Sequence, residues 1–360
     1  MSFLDTDTQI QAGDVVLEVS GLRSHFFTND GIVKAVDGVD FRVRAGETLG
    51  IVGESGCGKS QTSLSIMRLL TRPGRTVAGR INFRGHNLLE LTDRQMFELR
   101  GSEIAMIFQE PMTALNPVFR VGDQITEVLR QHTSLRGDAS RKRVIELFDK
   151  VRIPSPAQRI REYPHQLSGG MRQRVMIAMA LACNPRLLIA DEPTTALDVT
   201  IQAQILALIE DLKRTENMAV VLITHDLGVI AEAADDVTVM YAGKVVESAP
   251  VKELFASPEH PYTQGLLRSI PTPERLGTRL DAIAGVVPHP LNLPPGCSFA
   301  PRCSKKFEPC DSAFPLLDHT SPSHRVACYL YTDEQSERRS DGGPEIDPSS
   351  PLAEEVGATE

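Results

Sequence analysis

Short runs of apolar residues alternate with longer segments of helical periodicity through much of the chain. The clearest runs occupy residues 49–52, 187–190, 219–223 and 237–240. The last three are separated by helix candidates at residues 201–215 and 227–234. Continuous apolar strands joined by helices are typical of a parallel sheet that is buried on both faces. The pattern therefore predicts an α/β fold.

Other segments predict additions to this sheet. Residues 15–19, 41–43 and 81–83 have the composition of strands. Helical patterns dominate from about residue 91 to 182, and residues 141–151 carry apolar side chains on one helical face. We therefore expect an inserted helical subdomain at about residues 91–182.

Composition divides the chain further after residue 270. Residues 271–330 are rich in Pro, Gly, His and Cys, which predicts a small, poorly helical unit after a main domain at residues 14–270. Residues 1–13 form a short N-terminal extension. The tail at residues 331–360 carries nine carboxylates and two arginines, and we expect it to be disordered.

The formal net charge is −9, and the acidic tail accounts for most of it. The nearly neutral remainder lacks the clustered Lys and Arg of a nucleic-acid-binding surface, so we expect no nucleic-acid partner. The longest apolar run, at residues 175–183, is half the length that crosses a bilayer, and the N-terminus lacks the features of a secretion signal. These features predict a cytoplasmic protein.

The segment GESGCGKS at residues 53–60 follows an apolar run and opens a helix candidate. This is the context of a phosphate-binding P-loop, whose glycines turn backbone N–H groups toward phosphate oxygens. Lys59 would reach the β- and γ-phosphates, and the Ser60 hydroxyl would ligate Mg²⁺. A solvated glycine loop is the alternative interpretation. The predicted nucleotide contacts in this region are Gly53, Ser55, Gly56, Cys57, Gly58, Lys59, Ser60 and Gln61.

A second motif, LSGGMRQ, precedes another helix candidate. In it, Ser168 is followed by Gly169 and Gly170, and a serine hydroxyl with small residues at a helix N-terminus can bind an anion. An ordinary helix cap is an equally open interpretation of the same residues.

Two carboxylates end the apolar run at residues 187–190. Ligands of open parallel sheets bind beyond the carboxyl ends of the strands. Asp191 therefore suits a Mg²⁺ shell, and Glu192 suits the polarisation of a water molecule. His225 follows another apolar run, where it could contact a γ-phosphate or orient Glu192, although a lone histidine there is usually structural.

In order and spacing, these motifs resemble the Walker A, Q-loop, signature, Walker B, D-loop and H-switch segments of ABC-transporter ATPases over residues 14–270. The Q-loop match is Gln109 in IFQE, and the D-loop match is Asp198 in ALD. The resemblance implies a P-loop NTPase fold with a RecA-like core, a parallel sheet and the inserted helical subdomain. It also implies ATP and Mg²⁺ as cofactors.

The resemblance further implies that two cassettes bind ATP head to tail, with Asp198 linking the two sites. Glu192 would activate water, with His225 beside the γ-phosphate and with Lys59 and Gln109 as further catalytic residues. The Mg²⁺ ligands would be Ser60, Gln109 and Asp191. Ser168, Gly169 and Gly170 would complete the partner's site, and Gln173 would be a further nucleotide-binding residue.

An aromatic side chain that stacks on adenine is also implied by the resemblance. It is expected near Phe26, and the adjacent Phe27 leaves the choice open.

Four of the six cysteines have the spacing Cys297-x5-Cys303-x6-Cys310-x17-Cys328. A cytoplasmic location disfavours disulfides, so four thiolates predict a metal site, with reduced structural thiols as the alternative. Zinc sites usually contain closely paired cysteines, which this spacing lacks, and four thiolates suit a 4Fe-4S cluster equally well. The two remaining cysteines, Cys57 and Cys183, are not expected to be ligands.

The same region resembles the C-terminal extension of dipeptide and oligopeptide import ATPases, in HPYT at residues 260–263 and in the residues around Cys297 and Cys303. That resemblance implies a 4Fe-4S cluster, with a structural role, on Cys297, Cys303, Cys310 and Cys328.

The implied function is the ATP-hydrolysing subunit of an ABC importer of dipeptides or short oligopeptides, with nickel or glutathione as other cargoes of the subfamily. The implied partners are a homologous second ATPase in a heterodimer, two transmembrane permease subunits and an extracytoplasmic peptide-binding protein. The protein would lie peripherally at the cytoplasmic face of the cell membrane. A soluble ABC ATPase acting on nucleic acid and an iron–sulfur regulatory protein are the rival functions.

Overall fold

The computed structural model describes residues 11–109, 115–194, 199–270 and 283–331. The strands are β1 (Val15–Thr28), β2 (Gly31–Arg44), β3 (Thr48–Val52), β4 (Gly74–Phe83), β5 (His86–Asn87), β6 (Ile104–Ile107), β7 (Leu187–Asp191), β8 (Ala219–Ile223), β9 (Asp236–Tyr241), β10 (Lys244–Pro250), β11 (Asp318–His319) and β12 (Arg325–Val326). The helices are α1 (Lys59–Ile66), α2 (Asp93–Leu99), α3 (Val121–His132), α4 (Asp138–Lys150), α5 (Pro156–Arg159), α6 (Gly169–Ala180), α7 (Val199–Glu216), α8 (Leu227–Ala233), α9 (Val251–Ala256) and α10 (Pro261–Arg268).

Two sheets organise these elements. In the described residues, a mixed sheet has the order β11-β12-β10-β9-β3-β8-β7-β6, and an antiparallel sheet has the order β2-β1-β4-β5. Strands β9, β3, β8, β7 and β6 run parallel. Along β7, Leu188 and Ala190 contribute to one hydrophobic core, and Leu187 and Ile189 contribute to another. Because neighbouring side chains of a strand point to opposite faces, the parallel strands are buried on both sides, as the apolar runs predict.

The parallel direction of β3, β7 and β8 determines where the site is built. Their carboxyl ends meet at one edge of the sheet, so the residues that follow each strand lie near one another. These are the loop after Val52, Glu192 after the last β7 residue Asp191, and the segment from Thr224 to His225.

The described part of the region predicted to be helical includes a strand of the main sheet. Helices α3, α4 and α6 pack together, and Val144, Leu147 and Phe148 of α4 are buried, in line with the amphipathic pattern. Residues 104–107 instead form β6, which pairs with β7 and is buried along its length. Four consecutive apolar residues do not distinguish a strand from a buried helical segment, so the sequence pattern missed β6.

The antiparallel sheet is larger than the sequence pattern predicts. Strands β1 and β2 each have 14 residues, whereas only 15–19 and 41–43 have a clear strand pattern. Their pairing contains several register shifts, and many of their side chains are only partly buried. Such irregularities interrupt the alternation of apolar and polar residues that identifies a strand.

Residues 283–331, which we call the extension, consist mainly of turns. Strand β12 of the extension pairs with β10, and β11 pairs with β12, so the extension lengthens the main sheet. Phe299 and Ala300 belong to the same hydrophobic core as α4 and α6. The described part of the extension therefore shares a hydrophobic core with the main domain.

Several expectations concern residues outside the described ranges. They are the D-loop residue Asp198, the start of the second unit at residues 271–282, and nearly all of the N-terminal extension and the acidic tail. Within the described ranges, no helix has the length and apolar character needed to cross a membrane.

Candidate nucleotide-binding site

The loop between β3 and α1, at residues 53–58 and here called the glycine loop, can be formed only with glycine at certain positions. Gly53 has a φ of 152°, and a Cβ atom there would lie 2.2 Å from the Met240 carbonyl oxygen. Gly58 has a φ of 103°, and a Cβ atom there would lie 2.3 Å from the Ala35 carbonyl oxygen. Because both obstacles are backbone atoms, a larger residue would displace the loop.

Lys59 is buried and points back into the glycine loop. Its Nζ donates hydrogen bonds to the carbonyl oxygens of Gly53, at 2.7 Å, and of Glu54, at 3.1 Å. The ammonium group is therefore held at the centre of the loop. Phosphate oxygens bound in the loop would lie next to a fixed positive charge.

Ser60 and Asp191 are brought together from the start of α1 and the end of β7. The Ser60 hydroxyl donates to Asp191 Oδ1 at 3.2 Å. Burial raises the pKa of Asp191, and the hydrogen bond from Ser60 opposes that effect. A hydroxyl and a carboxylate side by side are oxygen donors of the kind that Mg²⁺ prefers, so these residues fit the predicted ion.

Glu192 is the centre of a second group of polar side chains. Gln109 Nε2 donates to Glu192 Oε2 at 3.1 Å, and His225 Nδ1 lies 3.1 Å from Glu192 Oε1. Glu192 itself has a φ of 48°, and its backbone N–H donates to the Ile223 carbonyl oxygen. A positive φ is uncommon for a non-glycine residue. The extended conformation of β7 therefore ends before Glu192. Two residues from separate motifs therefore meet at the carboxylate of a third.

The signature segment caps its own helix. Ser168 is the N-cap residue of α6, and its hydroxyl accepts a hydrogen bond from the Met171 N–H at 3.3 Å. Gln173 is buried and donates to the Pro193 carbonyl oxygen, which connects α6 to the loop after β7. Gly170 lies beside Ile201 of α7. The helix-cap interpretation therefore holds within one chain, and the role toward a second subunit stays a prediction.

The two candidate aromatic residues occupy different surroundings. The ring of Phe26 lies against Gly74 and is partly buried. Phe27 is exposed, and the Arg75 guanidinium lies over its ring, 4.3 Å from the centroid. A cation covers one face of Phe27 and leaves the other face available, so the choice between Phe26 and Phe27 as the adenine contact stays open.

The structure also reveals contacts to the glycine loop that the sequence analysis missed. The Glu54 N–H donates to the Tyr262 hydroxyl at 2.8 Å. Arg302 of the extension donates to both Glu54 carboxylate oxygens, at 2.6 and 3.0 Å. No local pattern could indicate this pair, because 248 residues separate its members.

The four cysteines of the extension line one pocket, here called the cysteine pocket, together with Phe299 and His260. Burial raises the pKa of Cys328 to about 11 and shifts the pKa values of Cys297 and Cys303 in the same direction. These groups are therefore thiols near neutral pH unless a metal replaces their protons. Outside this pocket, Cys57 lies in the glycine loop, and burial raises the pKa of Cys183 near the end of α6.

The distances between the four cysteine sulfur atoms limit the kind of metal site that they could form. Among the residues that the structure describes, no three of these sulfurs lie within 4.8 Å of one another. Four thiolates around one Zn²⁺ at about 2.3 Å would be about 4 Å apart. The described sulfur atoms are therefore not arranged around a single tetrahedral ion.

The site combines a glycine loop between a strand and a helix, a central lysine, a Ser–Asp pair and a glutamate at the end of another parallel strand of the same sheet. These features define a P-loop nucleotide-binding protein. Residues 36–195 match the family model described as ABC transporter, and residues 246–310 match that of the oligopeptide/dipeptide transporter C-terminal region.

Curated relatives and solved structures agree with these matches. The chain is 54% identical to the oligopeptide transport ATP-binding protein AppD of Bacillus subtilis, over 90% of this chain and 99% of that protein. It is 52% identical to the dipeptide transport ATP-binding protein DppD of the same organism, over 89% and 96%. The ATP-binding cassette MJ0796, solved as a dimer bound to ADP and Pi, superposes with a TM-score of 0.60 at 26% identity, over 65% and 98%. The chain belongs to the ABC transporter family, in the branch whose members carry the oligopeptide/dipeptide transporter C-terminal region.

Proposed function

We propose that this protein is the ATP-hydrolysing subunit of an ABC importer that powers the uptake of short peptides. The observation that carries the proposal is the convergence of Gln109 and His225 on Glu192, next to the Ser60–Asp191 pair. A carboxylate placed between an amide and an imidazole is suited to position and deprotonate a water molecule. Whole-length similarity to peptide-transport ATPases connects that chemistry to transport.

The chain's own residues supply positioning and charge, which are what phosphoryl transfer requires of a protein. Lys59 and the N–H groups of the glycine loop would bind the β- and γ-phosphates. Ser60 and Asp191, with Gln109, would hold the Mg²⁺, whose charge neutralises phosphate oxygens. Glu192 would accept the proton of the attacking water, and His225 would orient Glu192 and contact the γ-phosphate.

Two subunits would complete each site. Ser168, Gly169 and Gly170 at the start of α6 would contact the nucleotide held by the glycine loop of the other subunit, as a helix N-terminus contacts an anion. The relative solved as a dimer with ADP and Pi supports this arrangement. Asp198 is proposed to connect the two sites, and the second subunit is proposed to be a homologous ATPase.

The decisive experiment replaces Glu192 by Gln, which keeps the shape and removes the base. We expect phosphate release to fall about 100-fold or more, while ATP affinity is retained and the closed dimer accumulates. Lys59→Ala should instead weaken ATP binding itself. Glu98→Gln, at an exposed ion pair of α2, is the matched control and should hydrolyse ATP normally. Normal turnover by the Glu192→Gln protein would refute the assigned role.

Dipeptides or short oligopeptides are the proposed cargo, because relatives bearing both names align with nearly the whole chain. The proposed partners are two permease subunits and an extracytoplasmic peptide-binding protein, with the ATPase bound peripherally at the cytoplasmic face of the membrane. The assembled transporter should be purified with its binding protein, and the bound ligand should be identified by mass spectrometry. A bound metal chelate or glutathione would replace peptides as the cargo.

We also propose that the cysteine pocket holds a 4Fe-4S cluster that fastens the extension. The four thiols that line one pocket support it, because four thiolates are the ligand set of such a cluster. Protein purified without oxygen should be brown and should contain iron and sulfide. Cys310→Ser should lose both, and Cys183→Ser should retain them. Colourless protein that contains zinc would refute the cluster.

A further inference from the structure

Glu54 lies in the glycine loop and connects it to other parts of the structure. Its carbonyl oxygen accepts a hydrogen bond from Lys59 Nζ, and its N–H donates to the Tyr262 hydroxyl. The adjacent Gly53 carbonyl oxygen is the other acceptor of the Lys59 ammonium. A displacement of Glu54 would therefore move the lysine and the N–H groups of the loop together.

The carboxylate of Glu54 is held by Arg302, which belongs to the extension. Two guanidinium nitrogens donate to the two carboxylate oxygens, at 2.6 and 3.0 Å. The Arg302 side chain is 4% exposed, whereas that of Glu54 is 30% exposed. Paired, charge-assisted hydrogen bonds of this kind fix orientation as well as distance.

The guanidinium of Arg302 has its full set of partners. Beyond Glu54, it donates to the carbonyl oxygens of Ala284, at 3.0 Å, and Ile283, at 3.3 Å, and to the Tyr241 hydroxyl, at 3.4 Å. An arginine has five N–H donors, and these five contacts use all of them. A side chain so completely engaged cannot turn to another partner without loss, so Arg302 acts as a rigid support.

An aromatic cluster connects this support to the cysteine pocket. The rings of Tyr241, Tyr262 and Phe299 lie with centroids 4.7 to 5.4 Å apart. Phe299 also lines the cysteine pocket, and Tyr262 binds the glycine loop through Glu54. The packing is thus continuous from the pocket to the phosphate-binding loop.

We propose that Arg302 is a positioning residue of the nucleotide site: by holding Glu54, it keeps the glycine loop in the conformation that receives phosphates, and it makes nucleotide affinity depend on the extension. Arg302 acts through Glu54 and does not itself touch the nucleotide. The inference rests on the proposed function in one respect, namely that the glycine loop binds ATP.

The test measures ATP binding and turnover by the full-length protein with Arg302 or Glu54 replaced. Arg302→Met and Glu54→Gln should each raise the Kd and KM for ATP about tenfold, with a much smaller change in kcat. The double variant should be no worse than either single variant, because both remove the same interaction. Arg302→Lys, which keeps the charge but not the paired geometry, should lie between wild type and Arg302→Met.

A matched control separates positioning from general stability. Arg84 and Glu103 form another largely buried ion pair, with atoms 3.0 Å apart, at the amino end of β6. Arg84→Met should lower the midpoint of thermal unfolding and leave the Kd for ATP within about twofold of wild type. Loss of affinity in the Arg302 and Glu54 variants but not in Arg84→Met supports the proposal.

The outcomes distinguish this inference from the proposed function. If wild-type protein fails to bind ATP, the proposed function fails. If wild type binds ATP and folded Arg302→Met or Glu54→Gln binds it equally well, the inference is wrong. If Arg302→Met does not fold, Glu54→Gln and Arg302→Lys decide the question by the same comparison.

Discussion

The nucleotide site and the extension are held in place by different kinds of contact. The site is built at the ends of parallel strands, where backbone geometry places Gly53, Asp191 and His225 at one edge of the sheet. The extension has little regular secondary structure and depends on buried polar pairs between distant segments, such as Arg302 with Glu54 and His324 with Glu247. A site of the first kind should be sensitive to backbone sterics, and a segment of the second kind should be sensitive to charge and pH.

The largest effect should come from a methyl group in the glycine loop. Gly53→Ala would place a Cβ atom 2.2 Å from the Met240 carbonyl oxygen at a φ of 152°. Overpacking and backbone strain together should lower the free energy of unfolding by about 3 kcal/mol or more. The displaced loop should also no longer bind ATP. Isothermal titration with ATP and chemical denaturation measure the two effects.

Gly56→Ala is the control within the same loop. Its φ is 80°, but no atom lies within 4 Å of the added methyl group. Only the backbone strain remains, so the free energy of unfolding should fall by about 1 kcal/mol. Equal losses for the two substitutions would contradict the steric explanation.

The second effect concerns the buried side chain of Glu247, which contacts His324 of the extension. Glu247 is fully buried and accepts hydrogen bonds from the Glu259 and His260 N–H groups, at 2.7 and 3.0 Å, and its Oε1 lies 2.8 Å from His324 Nε2. Glu247→Gln removes the charge and turns one acceptor into a donor. We expect the free energy of unfolding to fall by about 3 kcal/mol.

An exposed pair of the extension provides the contrast. Lys306 and Asp311 lie 2.9 Å apart at side chains that are 41% and 59% exposed. Asp311→Asn should change the free energy of unfolding by less than about 0.5 kcal/mol, because solvent screens the pair. A small effect of Glu247→Gln, comparable to this one, would show that buried charge does not fasten the extension.

The smallest effect is a pH dependence that originates at His260. Burial lowers the pKa of this histidine from its ordinary 6.5 to about 3, and its Nδ1 accepts the Tyr262 N–H as the N-cap of α10. As the pH falls below 6.5, His260 becomes protonated in the unfolded chain, whereas in the folded protein it stays neutral until about pH 3. Stability is therefore complete above pH 6.5 and is lost progressively toward pH 3, by about 2 kcal/mol at pH 5.

His260→Asn preserves an N-cap acceptor and removes the titration. Urea unfolding of both proteins between pH 5 and 8 should show that the wild type loses about 2 kcal/mol more than the variant. Parallel pH profiles would contradict a neutral, buried His260.

The sequence predictions were accurate where the pattern that identifies an element lies within a few consecutive residues. Residues 187–190 and 219–223 were placed within a residue or two of β7 and β8, because continuous apolar runs are local. Strand β6 was missed, since four apolar residues have no distinguishing period. The full length of β1 and β2 was missed, since register shifts interrupt their alternation.

The candidate site likewise contains residues that the sequence motifs identify and contacts that they do not. The motifs identified Lys59, Ser60, Asp191, Glu192 and His225, and parallel strands brought them to one edge. In the sequence, Glu54 lies within the phosphate-binding motif without an assigned contact, and Arg302 is the residue before Cys303. Their pairing is specific to the way the extension folds back over the P-loop.

The sequence by itself determined the phosphate-binding motif, the parallel strands and the family, because glycine spacing and apolar runs act over a few residues. Only the tertiary structure decided that Gln109 contacts Glu192 and that Arg302 of the extension binds Glu54 of the glycine loop. The physical reason is that these contacts join residues far apart in the chain, and their geometry exists only after the sheet and the extension have packed together.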